Sequence, residues 1–225
     1  TGIEVIDIGS GAGAALTSGF KASQLSGKDF IINSQGADVL RVDGSVGTGT
    51  AIDLTTIDLS KLQFADAAAV VTINVSSFDA SKFTSGQGFT VTGSTQANTI
   101  TGSANADTLT GGAAADTITG GAGNDTFTMA GNLTAADTID GGAGTDIISV
   151  NTGTVDSQFA LVSNVETATM ATSGTLTLGS NAQSAGIVTV NTADGTDTVD
   201  ASAMTSDLTI NLTAQGTGNN TTLTF

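Results

Sequence analysis

Aspartate recurs at the sixth place of a nine-residue phrase in the middle of this chain. The phrase begins with glycine each time, and its four clearest copies carry the aspartates Asp107, Asp116, Asp125 and Asp146. Three extra residues interrupt the repeat before Asp137, which precedes the last copy. A degenerate copy at 93–101 has Asn98 at the sixth place. Carboxylates next to exposed turn carbonyls are the oxygen ligands that hard cations prefer. The spacing therefore indicates cation binding.

Nine residues make half a coil of a parallel solenoid, a six-residue turn followed by a three-residue strand. Two copies close one coil, so residues eighteen apart stack on the same edge. Asp107 is thus predicted to stack with Asp125, and Asn98 with Asp116. Ca²⁺ takes roughly 6 to 8 oxygen ligands, more than one turn can supply, whereas stacked turns supply them jointly.

The alternative is a solenoid whose turns carry Asp and Gly without metal. Turn preference explains each residue type separately, but it does not explain a carboxylate at the sixth place of each turn. Stacked carboxylates also repel one another unless a cation lies between them. Calcium is therefore the favoured interpretation.

The predicted calcium ligands are the stacked carboxylates and the carbonyl groups of the glycine turns. Glycine suits such turns because positive φ angles cost other residues energy. Ala114 replaces the third glycine of one copy, which predicts a weaker site there. The predicted metal-site residues are Asn98, Gly102, Asp107, Gly111, Gly112, Asp116, Gly120, Gly121, Gly123, Asp125, Asp137, Gly141, Gly142, Gly144 and Asp146.

One apolar residue stands in the middle of each predicted three-residue strand, flanked mostly by threonine. These inward residues are Ile100, Leu109, Ile118, Phe127, Ile139 and Ile148. Such segments favour strands, so the sequence predicts an all-β fold with a parallel β-roll, or β-solenoid, at 93–149. We expect a β-rich segment at 1–92, and another at 150–225 that leads toward a further repeat block. Both flanks suit either more β-solenoid or a β-sandwich.

Two short helices, at 58–69 and 156–164, are the expected exceptions to this all-β prediction.

Glu166 stands alone in a β-rich segment, and the favoured interpretation is a solvated strand face. Because the chain starts at Thr1 without Met or a signal sequence, we expect a segment of a longer polypeptide.

The charge of the chain is strongly acidic and unevenly distributed. The 225 residues have a net charge of −16, and all five basic residues lie within the first 82 positions. Phosphate binding needs clustered Lys and Arg, so we expect no nucleic-acid partner. No run of eighteen apolar residues predicts a transmembrane segment.

Several residue types are missing from the whole chain, and their absence restricts the chemistry. There is no Cys, His, Trp, Tyr or Pro. Zinc sites, histidine bases, cysteine nucleophiles and Ser-His-Asp triads are thereby excluded within this chain. No disulfide can stabilise the fold, and metal can take that role in a secreted protein. We expect no enzymatic activity.

The phrases at 120–125 (Gly-Gly-Ala-Gly-Asn-Asp) and 141–146 (Gly-Gly-Ala-Gly-Thr-Asp) resemble the repeats-in-toxin (RTX) calcium-binding nonapeptides. The Thr-, Ala-, Ser-, Gly- and Asn-rich setting without Cys is similar to RTX-type surface-layer proteins of Gram-negative bacteria. The resemblance implies Ca²⁺ as the bound ion, type I export through a signal outside this segment, and folding outside the cell. It also implies a homo-oligomeric, calcium-dependent lattice or filament at the cell surface, and contact with surface polysaccharide through other regions.

Two other interpretations stay open. One is an RTX adhesin or extender, and the other is the calcium-binding secretion module of a type I-secreted hydrolase. For the surface-layer interpretation, acids that are not predicted ligands are candidates for calcium bridges between copies. They are Asp156, Asp194, Asp197 and Asp207.

Overall fold

A computed structural model describes residues 78–81, 88–93, 95–212 and 221–225 in full. It describes the backbone of residues 4–8, 17–21, 30–34, 39–43, 70–75 and 77. The helix predicted at 58–69 lies outside the described residues, as do residues 51–57 of the predicted β-rich segment.

Short strands make up nearly all of the regular structure. Those before and in the first repeats are β1 (Glu4–Ile8), β2 (Thr17–Lys21), β3 (Phe30–Ser34), β4 (Val39–Asp43), β5 (Val70–Val75), β6 (Ser77–Asp79), β7 (Thr90–Gly93), β8 (Thr99–Thr101), β9 (Thr108–Thr110) and β10 (Thr117–Ala122). The others are β11 (Thr126–Thr128), β12 (Thr138–Ala143), β13 (Ile147–Val150), β14 (Val162–Ser163), β15 (Thr167–Met170), β16 (Thr175–Thr177), β17 (Thr189–Asn191), β18 (Asp197–Asp200), β19 (Thr209–Asn211) and β20 (Thr221–Thr224).

Every pairing between the described strands is parallel. The longest sheet has ten strands, in the order β19-β17-β15-β13-β11-β9-β7-β5-β4-β2. A five-stranded sheet has the order β14-β12-β10-β8-β6, and two smaller sheets have the orders β16-β18-β20 and β1-β3. From β5 to β20 the chain alternates between the ten-stranded sheet and another sheet. This is the predicted β-solenoid, and it continues past the repeats in place of the alternative sandwich.

The coil period follows the predicted spacing. Thr117 pairs with Thr99, and Thr126 pairs with Thr108, so one coil takes eighteen residues. Thr138 then pairs with Thr117, a step of twenty-one residues. The turn between β11 and β12 therefore absorbs the three-residue slip without a change of register.

The core is a row of apolar side chains along the axis of the solenoid. The six predicted inward residues, Ile100, Leu109, Ile118, Phe127, Ile139 and Ile148, are each at most 1% exposed. The register carries the row onward, with Ile148 opposite Ala168 and Ala168 opposite Val190. Burial of this apolar surface, at about 25 cal/mol per Å², stabilises the stacking of the described coils.

The helix predicted at 156–164 is mostly wrong. A 3-10 helix occupies Asp156–Phe159, and the chain then forms β14, because pairing with β12 places Val162 opposite Ile139. A six-residue helix that the sequence did not predict, α1, spans Ser180–Ala185. Gly186, with a φ of 104°, ends α1 in the left-handed conformation that favours glycine.

Candidate calcium site

Three of the repeat aspartates, Asp107, Asp125 and Asp146, form a hydrogen-bonded row along one edge of the solenoid, here called the first ladder. The main-chain N–H of Asp107 donates to Oδ1 of Asp125 at 2.7 Å, and that of Asp125 donates to Oδ1 of Asp146 at 2.7 Å. The N–H of Phe89 donates in the same way to Asp107. The predicted stacking of Asp107 and Asp125 is thereby confirmed.

Glu166 extends the first ladder by one coil. The N–H of Asp146 donates to Oε2 of Glu166 at 2.7 Å, in the manner of the aspartates before it. The interpretation of Glu166 as part of a solvated strand face is therefore wrong. Its sequence context, Val165-Glu166-Thr167, lacks the glycines that mark the other turns, so the repeat pattern gave no signal for it.

The opposite edge carries a second ladder, formed by Asn98, Asp116 and Asp137. Oδ1 of Asp116 accepts hydrogen bonds from the main-chain N–H and the side-chain Nδ2 of Asn98, both at 2.9 Å. The N–H of Asp116 donates to Oδ1 of Asp137 at 2.8 Å. The predicted stacking of Asn98 with Asp116 is confirmed, and the amide of Asn98 supplies a hydrogen bond where the first ladder has a second carboxylate.

The second carboxylate oxygens distinguish the members of the ladders. In three members, Oδ2 accepts a hydrogen bond from a main-chain N–H. Asp107 accepts from Ser103 at 2.6 Å, Asp116 from Gly112 at 2.6 Å, and Asp137 from Thr134 at 2.7 Å. Oδ2 of Asp125 and Oδ2 of Asp146 are buried and have no hydrogen-bond partner. A buried acceptor without a partner costs about 1–3 kcal/mol, and more when it is charged. These two atoms therefore mark where a ligand fits.

The glycines of the turns at 120–125 and 141–146 allow consecutive coils to touch through their backbones. Gly123 and Gly144 have φ angles of 108° and 152°, a region that other residues rarely adopt. A Cβ atom on Gly144 would overlap the carbonyl oxygen of Gly123. Gly121 and Gly142 also pair in register. The carbonyl groups of both turns are thus brought to the same edge as the two unpartnered oxygens.

The first glycine of each repeat makes room for the aspartate that follows it. A Cβ atom on Gly141 would overlap Oδ2 of Asp146, so the carboxylate folds back over this glycine. The equivalent glycines with the same close approach are Gly102, Gly111 and Gly120. Among the remaining predicted glycines, Gly112 donates its N–H to Asp116.

The first ladder concentrates acidic side chains from neighbouring coils at one edge. The pKa of Asp125 is raised to about 7, mainly by burial and also by the neighbouring charges of Asp107 and Asp146, against the lowering effect of the Asp107 N–H. Burial also raises the pKa of Asp107 and that of Asp146, the latter with a contribution from Glu166. No Lys or Arg follows Lys82 in the sequence. A cation from solution therefore suits this edge.

The described part of the chain contains no cluster of three or more acidic, histidine or cysteine side chains that would bind a metal by themselves. The donor set at the first ladder instead combines consecutive carboxylates with turn carbonyls. An all-oxygen set of this kind is the one that Ca²⁺ prefers.

Comparison with known families supports the same ion. Residues 92–127 and 133–154 match the model of the RTX calcium-binding nonapeptide repeat, in four copies. The chain carries RTX calcium-binding repeats. RTX repeats bind calcium and are typical of secreted proteins. No curated protein and no solved structure gave a significant match to the chain.

Two of the acids expected to bridge copies of this chain make contacts within it instead. Asp197 is 0% exposed, and Asp156 accepts hydrogen bonds from the start of α1. That part of the prediction is wrong, because both side chains face a neighbouring coil. Asp194 and Asp207 are exposed. No helix within the described residues is long and apolar enough to span a membrane.

Proposed function

We propose that this chain is a calcium-stabilised structural segment of an extracellular bacterial protein that assembles into a surface layer. The observation that carries the proposal is the pair of buried, unpartnered oxygens on Asp125 and Asp146. The two residues lie at the same edge of consecutive coils, within the RTX repeats. The segment has a structural role and no catalytic one.

Calcium is held on the first ladder by Asp125 and Asp146 together with carbonyl groups of the turns at 120–125 and 141–146. The ion supplies the positive charge that these stacked carboxylates lack. Turns from separate coils come together only in the folded chain, so the free energy of calcium binding adds to the free energy of folding. At a free calcium concentration of 100 times the dissociation constant, one independent site adds about 2.7 kcal/mol.

This coupling fits a protein that folds after export. Extracellular calcium modules bind with dissociation constants of about 0.1–1 mM. Their sites are filled in millimolar calcium, and they are empty at the far lower calcium concentration of a cytosol. The RTX block is therefore loose before export and ordered outside the cell.

Assembly into a layer needs side-by-side contact between chains of net charge −16, which repel one another. Divalent ions that bridge exposed acids such as Asp194 and Asp207 remove this repulsion. The outer faces of the coils offer regular surfaces for packing, because Thr99, Thr117 and Thr138 form an exposed row in register.

Electron microscopy and light scattering of the chain, in millimolar calcium and in chelator, test the proposal. Ordered sheets or filaments in calcium, and dispersed protein in chelator, are the expected result. Circular dichroism under the same conditions separates folding from assembly. Chains that fold in calcium and stay monomeric at high concentration would overturn the surface-layer role, and would favour an adhesin, an extender or the secretion module of a hydrolase.

A further inference from the structure

The turn between β17 and β18, at residues 192–197, lies outside the residues that match the RTX repeat model. It nevertheless shares the end of the nonapeptide, because Gly195-Thr-Asp197 has the same sequence as Gly144-Thr-Asp146. Gly195 has a φ of 127°, in the same region as Gly144. Thr192 and Ala193 replace the first two glycines, which explains why a sequence pattern passes over this turn.

Asp197 makes the hydrogen bond that defines the ladders. Thr175 pairs with Thr198, so Gly174 occupies the position of Asp197 in the preceding coil. The N–H of Gly174 donates to Oδ1 of Asp197 at 3.0 Å, as the N–H of Asp125 donates to Asp146.

The other oxygen of Asp197 is an unused ligand. Asp197 is 0% exposed, and its Oδ2 atom has no hydrogen-bond partner. Within the described residues, the only other buried aspartate oxygens in this condition are those of Asp125 and Asp146. Thr221, which pairs in register with Asp197, adds a buried hydroxyl oxygen that also has no partner.

We propose that the turn at 192–197 binds a further Ca²⁺ ion, with Asp197 as its carboxylate ligand. The inference rests on the proposed calcium-binding function and extends it by two coils beyond the RTX block. Gly195 gives the turn the backbone conformation of the block's own turns, and the hydroxyl of Thr221 is the candidate ligand from the next coil. With one carboxylate in place of two, this site binds calcium more weakly than the Asp125 and Asp146 pair.

Equilibrium dialysis of the full chain against calcium chloride counts the bound ions. Asp197→Asn keeps the shape of the side chain and removes its charge, and Asp79→Asn, in β6, removes an equal charge as the control. We expect Asp197→Asn to bind one ion fewer than the wild type and Asp79→Asn to bind as many. An Asp197→Asn chain that binds as many ions as the wild type would overturn the inference.

The same experiment separates this inference from the proposed function. If Asp125→Asn loses ions and Asp197→Asn does not, the RTX sites stand and the new site fails. A wild-type chain that binds no calcium overturns both.

Hydrogen exchange of the wild-type chain provides a test that does not depend on a variant folding. Peptides from 120–146 are expected to gain protection at lower calcium than peptides from 192–200. No further protection at 192–200 after the first group is saturated would overturn the inference.

Discussion

Asp125 donates its main-chain N–H to Oδ1 of Asp146 at 2.7 Å, while Oδ2 of each residue is buried without a partner. Each carboxylate thus uses one oxygen to join neighbouring coils and leaves the other available. This division explains how one residue per turn both sets the stacking and supplies a calcium ligand. Because different oxygens are used, substitutions can separate coil stacking from calcium binding.

Asp125→Asn is expected to reduce calcium binding most among the single ladder substitutions, because Asp125 lies between Asp107 and Asp146 and serves the sites on both sides. At 100 times the dissociation constant, each lost site removes about 2.7 kcal/mol of calcium-dependent stability. Asp116→Asn is the comparison, since Asn98 and Gly112 already donate to that carboxylate. Calcium titration of the two variants checks the order, and equal losses would contradict it.

Gly144→Ala is expected to destabilise the calcium-loaded chain by more than the strain of a positive φ, which is about 1–3 kcal/mol. The new Cβ atom would overlap the carbonyl oxygen of Gly123 and separate the two calcium-site turns. Gly153→Ala is the matched control, because its φ is also positive, at 83°, and a Cβ atom there meets nothing within 4 Å. Thermal unfolding in saturating calcium measures the difference, and similar midpoints for the two variants would show that close contact of the turns is unimportant.

The repeat itself predicted the core and the stacking. Phe127 and Asp125 stand at fixed places of a phrase whose period equals half a coil, so their inward and edge positions followed from counting. The pairing of Asp125 with Asp146 survived the slip between repeats, because the turn between β11 and β12 absorbs the extra residues. The local sequence pattern was therefore sufficient to predict inward and edge positions wherever each coil repeats the one before it.

Past the repeats, contacts between coils decide the structure, and the local sequence does not show them. Glu166 lies in the first ladder because Asp146 of the preceding coil donates to it. The cap of α1 comes from Asp156, twenty-three residues before the Gly179 N–H that it accepts. Asp197 is buried for the same kind of reason, through Gly174. Single residues without a repeating partner gave no basis for predicting these contacts.

Calcium affinity is expected to fall as the pH is lowered through about 7. The pKa of Asp125 in the folded, calcium-free chain is raised to about 7, so protons compete with calcium for this carboxylate below that pH. For one proton, the apparent affinity falls about tenfold per pH unit below the pKa. Calcium titrations at pH 7.5 and 5.5 measure the effect, and Asp125→Asn is expected to reduce the dependence at the remaining sites. An affinity that is the same at both values would contradict the prediction.

The same raised pKa has the opposite effect on the chain without calcium. The folded state holds a proton on Asp125 that the unfolded state releases above a pH of about 4, so folding without calcium is favoured at acid pH. This contribution decreases as the pH rises from about 4 to about 7. Urea unfolding in chelator is expected to show a higher midpoint at pH 5 than at pH 7.5, with a smaller difference in Asp125→Asn. A midpoint that rises with pH in the wild type and is unaffected by this substitution would exclude Asp125 as the cause.

Asp156→Ala is expected to release α1 from the solenoid whether or not calcium is present. The carboxylate of Asp156 accepts from the main-chain N–H groups of Gly179 and Ala182 at 2.7 and 2.9 Å, and from both the N–H and the side-chain amide of Asn181 at 3.2 and 3.0 Å. Loss of such a cap costs about 0.5–2 kcal/mol.

Hydrogen exchange of the α1 amides and unfolding in calcium and in chelator check this prediction, with Asp207→Ala as the exposed control. The loss of stability is expected to be the same in both conditions, since the cap lies outside the RTX block. A loss seen only in calcium would instead make Asp156 part of a metal site.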